Sequence, residues 1–209
     1  MRFVSLMLLL GAIVPVSLVR AEPDLPAGQA AFAVCASCHG PAAEGNAAMK
    51  APRLNHLQPQ YLASQLEKFR SGIRGGKGAT AEAMQMAGMA GTLADAAAVT
   101  NVAAYIASLE GGGNTKTIDG DVHLGADYYN QFCGACHGPA AEGNLALNSP
   151  ALAGSDDWYL LAQLQAFREG VRGAHPEDRT GKQMRAMGGV LPDDKALRDV
   201  VAFITSLTP

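Results

Sequence analysis

The chain has 209 residues, of which 48% are hydrophobic, 17% charged and only 6% aromatic. That is globular material for one or two domains, short of the large side chains that fill a small core unaided. A formal charge of −3 lacks the basic excess of a nucleic-acid binder, and that class is excluded.

Residues 1–21 read as an export signal. Arg2 opens the segment, Phe3 to Leu18 is almost entirely apolar, and Val19 and Ala21 place small side chains at the positions a signal peptidase reads, with cleavage before Glu22. The competing reading is an uncleaved anchor, against which stand the shortness of the apolar run and the interruption at Pro15. Either way the remainder lies outside the cytoplasm, and no later stretch is apolar and long enough to span a bilayer. Removing residues 1–21 leaves 14 basic and 19 acidic side chains, net −5.

A shift of 98 positions lays the sequence on itself without a gap from Cys35 to Leu109. Cys35, Cys38, His39, Gly40 and Pro41 fall on Cys133, Cys136, His137, Gly138 and Pro139. Ala42 to Asn46 repeats unchanged as Ala140 to Asn144. Two domains follow, 22–110 and 121–209. Between them, residues 111–120 begin with a glycine triplet and read as a linker. His123, just past its end, is read as belonging to this linker and not to a functional site.

Each repeat reads as mostly helical, with an all-α fold as the result. A first helix leads into the Cys motif at 28–34 and 125–132. A middle helix covers 59–71 and 157–169, with Leu62, Leu66 and Phe69 on one face. A last helix covers 95–109 and 193–207, striped by Val99, Val102, Tyr105, Ile106 and Leu109, and by Leu197, Val200, Phe203, Ile204 and Leu207. The Gly-, Pro- and Asn-rich chain between these helices packs only around something held inside.

All four cysteines lie in two Cys-x-x-Cys-His units, the c-type haem attachment pattern. In each unit the two thiols, Cys35 with Cys38 and Cys133 with Cys136, can form thioethers to a haem. The adjacent His39 or His137 can ligate its iron. A redox dithiol needs no histidine at the next position twice, and a structural zinc wants four protein ligands per site. A thioether opposite the histidine raises the reduction potential. Two methionine pairs recur in the repeat, Met86 with Met184 and Met89 with Met187. They follow a flexible loop and precede the last helix; one pair is core filler and the other is placed to ligate. His56, His123 and His175 have no histidine counterpart in the repeat, so bis-histidine ligation is disfavoured; His56 and His175 are expected at the surface or beside the haem carboxylates.

The run Cys-x-x-Cys-His, Pro-x-Leu, Tyr-Leu-x-x-Gln-Leu-x-x-Phe-Arg-x-Gly-x-Arg, Met-x-x-Met, found in both halves, resembles cytochrome c4, a family of dihaem class I cytochromes c of bacterial periplasms. The resemblance implies two tandem class I cytochrome c domains, each a small helical bundle around one haem c. It selects Met86 and Met184 as axial ligands and leaves Met89 and Met187 as packing residues. It implies that the carbonyls of Pro52 and Pro150 accept the other ring N–H of His39 and His137, and that Arg74 and Arg172 lie near the haem propionates. It also implies that the two domains face each other across those propionates, a packing that the glycine triplet at 111–113 would loosen.

The function expected is electron transport in a respiratory chain. A membrane quinol-oxidising complex or a periplasmic dehydrogenase would be the donor, and a terminal oxidase or reductase the acceptor. No catalytic residue, small-molecule substrate or nucleic acid is assigned. The alternatives are the dihaem cytochrome subunit of a larger oxidoreductase and, more remotely, a peroxidase-type enzyme. Residues 22–110 carry 6 basic and 7 acidic side chains, and residues 121–209 carry 7 and 11, so partners meet two different fields. Trp158 stands in the second repeat where Gln60 stands in the first, and is expected to dry the second haem pocket and leave the first haem at the lower potential.

Overall fold

The computed structural model describes residues 22–114 and 116–207; the export-signal segment lies outside the described residues. Among the described residues there is no sheet, only two isolated bridges, Asn46–Ala51 and Asn144–Ser149, which fall on each other in the repeat. No helix among them is long and apolar enough to cross a membrane.

In the first half the helices are α1 (Leu25–Phe32), α2 (Ala36–His39), α3 (Pro59–Arg70), α4 (Ala81–Ala90) and α5 (Ala96–Ala107). In the second they are α6 (Val122–Phe132), α7 (Gly134–His137), α8 (Asp157–Arg168), α9 (Arg179–Gly188) and α10 (Asp194–Ser206). Side-chain caps set several starts. Asp24 accepts the Ala27 N–H and Asp121 those of His123 and Leu124, so α1 and α6 begin about a turn before the sequence expectation. His123 therefore sits in the first turn of α6 and not in the linker. Asp95 and Asp193 cap α5 and α10 in the same way.

The helices α4 and α9 are not among the sequence expectations. They carry both methionine pairs, so these residues stand on a helix face and not at the end of a loop. Neither segment shows a sustained apolar stripe, and Gly88, Gly181 and Gly188 lower their helical propensity. What starts them is the cap: Thr80 accepts from the Ala83 N–H and Asp178 from the Gly181 N–H.

Two cores form around the last helices. Phe32, Leu62, Val102 and Ile106 pack in the first half. Tyr129, Leu160, Leu197, Val200 and Ile204 pack in the second. Phe32 stands 5.7 Å from Tyr105, and Tyr129 stands 5.3 Å from Phe203, ring to ring. In each half the first helix crosses the last at a glycine: a Cβ on Gly28 would run into the Asn101 carbonyl, and one on Gly125 into that of Asp199. Close approach, not backbone flexibility, explains these two positions.

The halves are joined by hydrogen bonds. The Gln58 side chain donates to Glu142 O at 2.9 Å and accepts from Ala151 N at 3.0 Å. The Arg53 backbone N–H donates to Asp156 at 3.0 Å. Both ends of the segment between the halves are pinned as well. The Gly111 carbonyl accepts from Asn55 at 2.9 Å and Arg53 at 3.3 Å, while the Thr117 and Ile118 N–H groups donate to the carboxylate of Asp157. The glycine triplet is thus tied down at its first residue.

Candidate functional site

The Cys-x-x-Cys-His sequence folds as one helical turn. The His39 and His137 N–H groups bond back to the carbonyls of Cys35 and Cys133, at 2.9 and 3.0 Å. Residues three and four apart share a helix face, so both thiols and the imidazole of each unit project to one side. Gly40 and Gly138, at φ 80° and 82°, end the turns.

His39 and His137 are each only 5% exposed. Their Nδ1 atoms lie 2.8 and 2.9 Å from the carbonyl oxygens of Pro52 and Pro150. A carbonyl only accepts, so Nδ1 carries the hydrogen and Nε2 keeps its lone pair. Burial lowers both imidazole pKa values, partly offset by these carbonyls, which keeps the rings neutral and able to ligate. Burial also pushes the Cys133 thiol up to about 11.

Each histidine lines a cavity. The first, of about 900 Å³, is walled by Cys35, Cys38, His39, Leu62, Met86 and Met89, among others, and is of a size that takes a cofactor. The second, about 120 Å³, is lined by Cys133, Cys136's partner histidine His137, Leu160, Met184 and Ile204. A cofactor of the same size must press these side chains outward. Met187 is 36% exposed and is not part of that lining, so it is only partly covered on α9.

Each cavity borrows a wall from the other half. Trp158, Tyr159, Gln163 and Arg172 reach the first; His56, Tyr61, Gln65 and Lys68 reach the second. Trp158 therefore lines the first cavity and not the second, although its α8 neighbours Tyr159 and Leu160 reach the second. His56 is bonded through Nε2 to Ser155 at 2.8 Å, and burial with the nearby Arg53 charge lowers its pKa to about 3. It is an interface residue, which its lack of a repeat partner did not reveal. His175 lines the first cavity.

Arg74 and Arg172 are brought together where the two cavities meet. Arg74 donates to Gln65 at 2.8 Å, to the Tyr159 hydroxyl at 3.0 Å and to Gln163 at 3.1 Å. Arg172 donates to Gln163 at 2.7 Å, to Gln65 at 3.0 Å and to the Tyr61 hydroxyl at 3.2 Å. Each guanidinium also lies over its own domain's phenylalanine, Phe69 at 4.4 Å and Phe167 at 4.5 Å. Burial, with the Arg172 charge beside it, pulls the Arg74 pKa down. Among the described residues no ion pair reaches either arginine. Two cations withdrawn from water without a carboxylate are costly unless an anion joins them. The Trp158 Nε1 and His56 Nδ1 atoms are likewise buried without a partner, one at each cavity. Two thiols, a free imidazole nitrogen, an apolar slot and a cationic end fit a haem, a group that carries two carboxylates of its own.

The cytochrome c family model matches residues 26–110 and 122–208. A cytochrome c4 of Azotobacter vinelandii is 30% identical over 98% of this chain and 97% of its own length. The chain belongs to the cytochrome c family, in its cytochrome c4 branch. A thiosulfate dehydrogenase electron acceptor of Thiomonas intermedia (strain K12) is 35% identical over 84% of this chain and 80% of its own. The structure of reduced cytochrome c4 from Pseudomonas stutzeri superposes with a TM-score of 0.69 at 27% identity, covering 89% of this chain and all of that one. This cytochrome is thus a dihaem electron carrier of two tandem cytochrome c domains, with Cys35/Cys38 and Cys133/Cys136 forming its two haem c sites.

Proposed function

We propose that the chain works in the periplasm as a two-electron shuttle, loaded by a membrane quinol-oxidising complex or a periplasmic dehydrogenase and emptied by a terminal oxidase or reductase, without a reaction of its own. The observation that carries this reading is the meeting of both cavities at Arg74 and Arg172, which gives the two redox sites one shared polar wall.

When bound, each haem supplies a one-electron ferric/ferrous couple. The residues do the rest. His39 and His137 would hold its iron through Nε2, kept in that tautomer by the Pro52 and Pro150 carbonyls. Met86 and Met184, which line the two cavities, would each hold it through a thioether, a ligand that favours the ferrous form. Arg74 and Arg172 would offset the charge of its propionates, which a guanidinium can contact bidentately. Leu62, Phe69 and their counterparts Leu160 and Phe167 exclude water, which limits reorganisation on electron transfer. The domain limits 22–110 and 121–209, and removal of residues 1–21, belong to this reading.

Among dehydrogenases, one that oxidises thiosulfate is favoured by the Thiomonas relative. Mixing the oxidised protein with a thiosulfate dehydrogenase and thiosulfate, or with quinol-charged membranes, and following haem reduction separates the donors. Fast reduction by neither contradicts the shuttle. Stable co-purification with a dehydrogenase instead supports the enzyme-subunit alternative.

A further inference from the structure

The two methionine-bearing helices start differently. On α9, Asp178 is the N-cap: its Oδ1 accepts the Gly181 N–H at 3.0 Å. The same oxygen takes the Lys68 ammonium, from α3 of the other domain, at 2.6 Å. Lys68 also donates to Thr180, in the first turn of α9, at 2.7 Å. The Asp178 side chain is 5% exposed and that of Lys68 18%. Burial works to raise the Asp178 carboxyl, but the bonds from Lys68 and Gly181 outweigh it and hold the group below its ordinary range. Lys68, Thr180, Gly181 and Met184 all line the second cavity.

Among the described residues nothing equivalent holds α4. The counterparts of Lys68, Asp178 and Thr180 are Ala166, Thr80 and Glu82. Thr80 caps through a hydroxyl at 3.3 Å, and Glu82 pairs with Lys50 of its own domain, both exposed. The helices also differ in intrinsic strength. α4 is alanine-rich, whereas α9 has Thr180 and Gly181 in its first turn and leans on its cap to form.

We propose that Lys68 and Asp178 are positioning residues that make the bond between Met184 and the second haem's iron depend on domain docking, while Met86 is held by its own domain alone. This rests on the reading of Met86 and Met184 as ligands. Without Lys68, Asp178 is left as an uncompensated carboxylate, the first turn of α9 loosens, and states with Met184 withdrawn become more populated. An added ligand competes with Met184 by population shift: the iron–sulfur bond breaks, an iron–nitrogen bond forms, and the thioether is released unchanged.

The test is imidazole titration of the oxidised full-length protein in a Met86→Ala background, reading the far-red sulfur-to-iron band that Met184 alone then contributes. Lys68→Ala should lower the half-saturating imidazole concentration by roughly tenfold, as loss of a charged hydrogen bond implies. Lys68→Arg should restore it to within about twofold. Lys50→Ala, which breaks the exposed pair on α4, should leave it unchanged. Absence of the band in the Met86→Ala protein itself overturns the assignment of Met184 and the inference with it. A band present, but with the same half-saturation in Lys68→Ala, overturns the inference alone.

Discussion

Arg74 and Arg172 bond the same two glutamine oxygens, each guanidinium holding Gln65 of one domain and Gln163 of the other. The two cations are therefore one electrostatic unit. Replacing Arg74 by Gln should lower the potentials of both haems, because a positive charge near each iron favours the ferrous form. At an effective dielectric near 20 the loss is about 1–2 kcal/mol at the nearer haem, roughly 40–90 mV for one electron. Redox titration of the variant checks this, and a shift confined to one haem contradicts the shared unit.

Trp158 should act on the first haem. Its indole lines the cavity headed by His39, where it excludes water and disfavours the charged ferric state. Trp158→Ala should lower the potential of the first haem and leave the second nearly unmoved. The drying argument thus places the first haem at the higher potential, reversing the order expected from the sequence.

That reversal shows where sequence reasoning stops. The repeat made the domains, the Cys-x-x-Cys-His turns and the apolar stripes legible, since each is a local pattern of fixed spacing. Tyr61, Gln65 and Arg74 were legible as repeated residues. Their bonds to the opposite domain were not, because pairing across an interface leaves no trace in spacing. Lys68 and Asp178 lack repeat partners, and nothing singled them out until the chain was folded; the same lack singled out His56 and Trp158 but could not say which cavity or partner they meet. α4 and α9 were missed for a different reason: their apolar residues serve a cavity and not a core, and the remaining signal was a capping residue.

The methionine assignments separate cleanly in the second domain. Met184→Ala should remove about half of the far-red band of the oxidised protein and lower one potential. Met187→Ala, at an exposed position, should keep the band and change stability by no more than about 0.5 kcal/mol. Spectra and denaturant titrations of the two variants decide between them.

Acid should loosen the interface through His56. The folded protein keeps this ring neutral down to about pH 3, whereas the unfolded chain charges it near 6.5. Stability is therefore fully present above pH 6.5 and falls as the pH drops toward 3. Each pH unit costs about 1.4 kcal/mol, so about 2–3 kcal/mol is lost by pH 4.5. His56→Gln should flatten this part of the pH–stability curve. A parallel curve for the variant would assign the acid sensitivity elsewhere.

The reciprocal bonds of the two arginines have the form of an isologous dimer contact written into a single polypeptide: Arg74 reaches Tyr159, and Arg172 reaches Tyr61, at corresponding positions. A one-haem protein with Tyr, Gln and Arg at these places would carry a self-complementary face and pair with its own copy. Duplication and fusion of such a protein would keep that contact at high effective concentration. It would also free each half to change alone, and Lys68, Asp178, His56 and Trp158 are among the positions at which the two halves differ.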